Sequence, residues 1–124
     1  MHKDILLVNP PLTLEERYGA FASVGSQAPP LGLCYLAAIL RREGFSVQIL
    51  DAPAHDLHLE QTVATIRAIP TGIIGITATT ASIIRAAELA RALKESGTSA
   101  RILTGGPHVS ALPEQTLQEF PSFD

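Results

Sequence analysis

The chain has 124 residues, with 9 basic and 12 acidic side chains and a formal net charge of −3. That length fits one domain able to bury a real core, residues 1–124 forming a single unit. The mild charge, without a basic stripe, and the scarcity of aromatics argue against nucleic acid as a partner. A single cysteine, Cys34, excludes an internal disulfide, a Cys-only zinc site and an iron–sulfur cluster ligated within this chain.

Residues 1–4 lead into an apolar run too short for a signal-peptide core or a bilayer span, so the default is a soluble, cytoplasmic protein with no membrane partner. The run Ile5-Leu6-Leu7-Val8 is continuous rather than alternating, as in a strand of a parallel sheet covered on both faces. Asn9-Pro10-Pro11 ends it. Residues 11–29 then form a long segment with Gly19, Ser23, Gly25 and Ser26, compatible with a helical turn over 13–17. Loops of this length inside a compact domain are more often functional or mobile than merely connecting.

Pro30 opens the first firm helix, with Leu33, Leu36, Ala37 and Leu40 at i, i+3, i+4 and i+7. Arg41 and Arg42 suit its C-terminal end, and Gly44 stops it. Cys34 lies within this apolar pattern and reads as a small buried hydrophobe rather than a reactive thiol. A second strand spans 45–50 and ends at Asp51. A second helix places Leu59, Val63 and Ile66 in step and stops at Pro70. Residues 72–77 form the third strand, the most apolar, followed by Thr77-Ala78-Thr79-Thr80. The third helix, 81–96, carries a stripe of Ile83, Ile84, Ala87, Ala90 and Leu93, with Arg85, Glu88, Arg91 and Glu95 facing water. A fourth strand runs from Ala100 to Thr104 into Gly105-Gly106-Pro107-His108, and a short helix follows over 112–120.

Four strand–helix repeats joined by right-handed crossovers give an α/β, flavodoxin-like doubly wound parallel sheet in three layers, with strand order 2-1-3-4. A fifth strand would be next at Asp124, so the sequence reads as a fragment of a longer protein. With no fifth strand, the Ala100 to Thr104 edge is open to self-association. In this order the winding reverses between strands one and three, and ligands bind there above the carboxyl edge. The loops at that place are 9–29 and 77–80, with 105–108 beside them. They offer hydroxyls, small residues and backbone amides, but no dense cluster of acids, histidines or thiols. The glycine pair either serves a plain turn or lets backbone approach a ligand.

Several enzyme readings fail on residues. A receiver domain would need an acidic cluster after strand one and an Asp ending strand three, where Asn9 and Thr77 stand. Gly-x-Gly-x-x-Gly and Walker A motifs are absent. Asp51, His55, Asp56 and His58 follow an outer strand with no fixed metal-binding spacing, and read as solvated loop residues. His108 could reach a ligand, cap a helix or face water.

Taken in order, Ile5-Leu6-Leu7-Val8-Asn9-Pro10-Pro11, Pro29-Pro30-Leu31-Gly32-Leu33, Leu36-Ala37-Ala38-Ile39-Leu40, residues 47–52, Gly105-Gly106-Pro107-His108 and Pro113-Glu114 resemble the N-terminal cobalamin-binding domain of cobalamin-dependent radical SAM enzymes. The resemblance covers essentially the whole chain and implies a non-catalytic module holding a corrinoid above the sheet. Its nucleotide tail would enter near strands three and four. The cofactor-binding positions so implied are Asn9, Pro10, Thr77, Ala78, Thr79, Thr80, Gly105, Gly106 and Pro107. Methionine-synthase-like relatives carry Asp-x-His-x-x-Gly after strand one, whose His ligates cobalt. This chain has no His in that loop, which implies a base-off mode without a His ligand. S-adenosylmethionine and a 4Fe-4S cluster would belong to a downstream radical SAM domain, a partner for methyl transfer or other radical chemistry. The alternatives are a nucleotide- or flavin-binding domain on the same edge and an interaction module without a ligand.

Overall fold

Parallel pairing of four apolar strands sets the architecture in the computed structural model, which describes residues 2–124. Strand β1 (Lys3–Asn9) is followed by a short α1 (Leu14–Tyr18), a 3-10 turn (Gly19–Val24) and α2 (Leu31–Arg42). Then come β2 (Val47–Asp51), α3 (Leu59–Arg67), β3 (Thr71–Thr77) and α4 (Ile83–Glu95). The chain continues with β4 (Arg101–Gly105), α5 (Pro107–Ala111) and α6 (Pro113–Glu119). The strands lie in the order β2-β1-β3-β4, all parallel, as the sequence pattern requires.

The two faces of the sheet are covered unequally. On one, Leu6, Val8, Leu50, Ile74, Ile76 and Ile102 pack against Ile66 of α3 and Ile83, Ala86, Leu89 and Leu93 of α4. On the other, Leu7 and Val47 meet Leu33 and Ala37 of α2, a much smaller cluster. Because side chains alternate along a strand, Ile73, Gly75 and Thr77 share this second face. Their register partners on β4 are Arg101, Leu103 and Gly105. That half of the face is open, with Leu103 45% exposed.

The narrow cover explains where the helical patterns depart from expectation. Helix α2 sits over β1 and β2 alone, so its contact stripe is Leu33, Ala37 and Leu40, and Leu36 is 50% exposed. Cys34, expected in the core, is exposed. In α4 the buried stripe is Ile83, Ala86, Leu89, Ala90 and Leu93, while Ile84 is 55% exposed. The helix is rotated so that Ala86 and Leu89 meet the sheet, a choice that several apolar residues in a row leave undetermined. Phe45 precedes β2 and is likewise exposed.

The helix expected over 112–120 is present as α6, and α5 precedes it over Pro107–Ala111, where the sequence suggested only a turn. The break falls at Leu112 (φ −134°, ψ 58°), whose helical conformation is disfavoured by the ring of Pro113. Beyond α6, Phe123 is buried and meets Phe120 edge-on at 6.4 Å between ring centroids. The Asp124 N–H donates to the Ile102 carbonyl at 2.7 Å, and its carboxylate accepts the Ile102 N–H at 2.7 Å. This contact lies along the outer edge of β4. The Ile102 amide first, and then Lys94, hold the Asp124 carboxyl below its ordinary range.

The long segment after β1 is built from its own side chains. Thr13 caps α1 by accepting the Glu16 N–H, while Glu16 accepts the Thr13 N–H, a reciprocal pair that satisfies two amides. The Tyr18 hydroxyl donates to the Ser26 carbonyl at 2.9 Å, and Gly25 lies flush against the Tyr18 ring. Arg85 of α4 ties this strap to the body through an ion pair with Glu16 at 2.6 Å, and Glu88 on the same helix holds Arg85 at 2.6 Å. Among the described residues, no helix is long and apolar enough to cross a membrane.

Candidate functional site

The carboxyl ends of β1, β3 and β4 converge on one edge, where Asn9 is in register with Asp51 and Thr77 with Gly105. The Asn9 carboxamide N–H donates to Asp51 Oδ1 at 2.9 Å, so the acid ending β2 positions Asn9. A cavity of about 210 Å³ opens here. It is lined by Asn9 and Pro10 from the end of β1, Thr77, Thr79 and Ser82 from the end of β3 and the turn after it, and Gly32 and Leu33 of α2. Leu12 and Arg17 reach in from the strap.

The remaining predicted positions form the neighbouring turn. Ala78 is fully buried, its N–H donating to the Gly105 carbonyl at 2.9 Å and its carbonyl accepting the His108 N–H at 3.4 Å. The Thr80 hydroxyl lies 3.2 Å from His108 Nδ1, joining the β3–α4 and β4–α5 turns across the mouth. The Thr79 N–H donates to Ser82 Oγ at 2.9 Å, which fixes that loop locally. Pro107 is exposed at the start of α5.

The two glycines have different tasks. Gly106 adopts φ +102°, and a Cβ there would lie 2.6 Å from the Ala78 carbonyl oxygen. It lets the turn press against the end of β3. Gly105 has no such conformation, and a Cβ there would meet nothing within 4 Å. It leaves space open beside Thr77.

Sequence reasoning missed Ser82, Gly32, Leu33 and Arg17 as cavity residues. The first three carry no chemical signature, and Arg17 sits in a segment without periodicity. Among the described residues no three His, Cys, Asp or Glu side chains converge as a metal site. His58 starts α3, its N–H bonded to Gln61 Oε1 at 2.9 Å.

The Glu16 carboxyl is held below its ordinary range, first by the Thr13 N–H and then by the charge of Arg85. A lowered folded value means that the contribution of Glu16 is complete above the ordinary glutamate pKa and is lost as pH falls through the lowered one. The strap is therefore expected to loosen below about pH 4. The Thr13 amide chemical shift should report a titration there, and Glu16→Gln should abolish that titration.

A doubly wound parallel sheet with a hydroxyl-lined cavity on its carboxyl edge is the architecture in which α/β domains receive small molecules. The chain belongs to the B12-binding domain family, whose model matches residues 18–124. Among curated relatives, an uncharacterized methyltransferase of Pyrococcus horikoshii is 38% identical over 120 residues, covering 97% of this chain and 25% of the relative. The anaerobic magnesium-protoporphyrin IX monomethyl ester cyclase of Rubrivivax gelatinosus is 31% identical over 104 residues, 83% of this chain and 19% of that one. The chain thus spans a quarter or less of the curated relatives it matches.

In solved structures the same fold occurs in the radical S-adenosylmethionine methyltransferase TsrM of Kitasatospora setae. With cobalamin and a 4Fe-4S cluster bound, that protein superposes with a TM-score of 0.74 at 20% identity, covering 98% of this chain and 21% of TsrM. With tryptophan and a SAM analogue bound, the TM-score is 0.75 at 19% identity, covering 96% and 22%. The flavodoxin-like fold and the B12 family expected from the ordered motifs are both found.

Proposed function

We propose that this domain holds cobalamin across the carboxyl ends of β1, β3 and β4, with the nucleotide tail entering beside Thr77 and Gly105. The observation that carries the reading is the open space over Gly105, in register with the small Thr77, in a chain of the B12-binding family. A planar base can enter only where no side chain already stands.

The donor set fits the cofactor. The corrin rim presents amides, which need neutral donors and acceptors rather than charges. Asn9, oriented by Asp51, and the hydroxyls of Thr77, Thr79 and Thr80 supply both kinds, with Pro10 beside the ring. Ala78, Gly106 and Pro107 contribute backbone shape. Bound cobalamin would supply a cobalt centre able to carry a methyl group. In the longer proteins of this kind we assign methyl transfer or other radical chemistry to a partner domain that holds S-adenosylmethionine and a 4Fe-4S cluster.

No histidine occurs between Asn9 and Leu31, which supports a base-off mode without a His ligand. Titration of the purified chain with hydroxocobalamin should shift its visible spectrum, and flavin mononucleotide should give no shift. The opposite pattern would replace this reading with a flavin site, and no shift with either would leave an interaction module. The paramagnetic resonance spectrum of bound cob(II)alamin should lack nitrogen superhyperfine splitting. A nitrogen triplet would overturn the base-off mode.

A further inference from the structure

We infer that Arg17 is the anion-reading residue of the cavity and takes the phosphodiester of the nucleotide tail, an inference that rests on the cobalamin reading above. Three observations carry it. Arg17 is the one charged side chain lining a cavity otherwise built from neutral groups. Among the described residues it forms no ion pair, a property it shares with Lys3, Arg41, Arg67 and Arg101, none of which lines this cavity. Its guanidinium also lies 5.9 Å from the centroid of the Tyr18 ring, and the Tyr18 hydroxyl is anchored to the Ser26 carbonyl.

A lone cation on an uncharged wall makes the cavity selective for a ligand bearing a negative group. The planar fork of a guanidinium matches two phosphate oxygens, and such charge-assisted bonds are stronger than neutral ones. Cobalamin carries one phosphodiester, between the corrin side chain and the ribose of its tail. The corrin rim offers amides, for which a guanidinium has no comparable preference. Arg17 therefore separates a corrinoid with its nucleotide tail from one without it.

The test compares hydroxocobalamin with aquacobinamide, which has the corrin but neither phosphodiester ribose nor base. Spectral titrations use the whole chain, as wild type, Arg17→Gln and Arg17→Lys, with circular dichroism to check the fold. Arg17→Gln should weaken hydroxocobalamin binding about tenfold and leave aquacobinamide unchanged. Arg17→Lys should recover only part of that loss, since it keeps the charge but not the fork, and salt should weaken cobalamin binding to the wild type more than to Arg17→Gln. Equal losses for both corrinoids, or no loss for cobalamin, would overturn the role of Arg17 while leaving the cobalamin reading intact. If the folded wild type binds neither corrinoid, the cobalamin reading falls and this inference falls with it.

Discussion

Gly106→Ala is expected to destabilise the domain by about 2–4 kcal/mol. Two costs combine. At φ +102° and ψ −177° the backbone sits in a region open essentially to glycine alone, which costs about 1–3 kcal/mol for any other residue. The new Cβ would also lie 2.6 Å from the Ala78 carbonyl oxygen and 3.0 Å from Thr77 Oγ1, and the nearer of these is backbone that cannot rotate away. Relief requires moving the β4–α5 turn off β3, breaking the bonds from Ala78 N–H to Gly105 and from His108 N–H to Ala78. The melting temperature should fall by roughly 10 °C or more. A fall of only a degree or two would show that this turn is not pressed against β3.

Gly105→Leu should produce the complementary result, a folded protein that has lost its ligand. Its backbone lies outside the left-handed region, and a Cβ there meets nothing within 4 Å, so a side chain can be added without a clash at its root. Stability should stay within about 1 kcal/mol of wild type, as for substitutions at unstrained open positions. The leucine would occupy the space proposed for the tail beside Thr77. Hydroxocobalamin affinity should drop by about a hundredfold or more, close to 3 kcal/mol. Gly105→Ala should give an intermediate loss. Spectral titration of the three proteins decides the matter, and unchanged binding by Gly105→Leu would place the tail elsewhere.

Neighbouring glycines thus divide into one pressed against Ala78 and one with open space beside it, a distinction that does not exist in the sequence. There they are two identical letters after an apolar strand. The difference arises because Gly106 turns into Ala78 of another strand while Gly105 still lies in β4, facing the sheet's open half. The same is true of the strap. Its capping box at Thr13 and Glu16 is a local pattern, but its attachment through Arg85 depends on an ion pair spanning 69 positions in the chain. Cys34 and Leu36 went the other way: both fit an apolar helical pattern, and both are exposed because they flank, on either side, the narrow stripe of Leu33, Ala37 and Leu40 that meets the sheet.

By itself the sequence determined the alternation of strands and helices and their parallel assembly. Those follow from hydrophobic period, glycine and proline punctuation and the handedness of crossovers, all of which act over short stretches. Only the tertiary structure decided which apolar residues are covered, which glycine keeps its space, and that Arg17 reaches the cavity. Each of these depends on the distance between elements remote in the chain, and a spacing pattern along one element carries no record of what is packed against it.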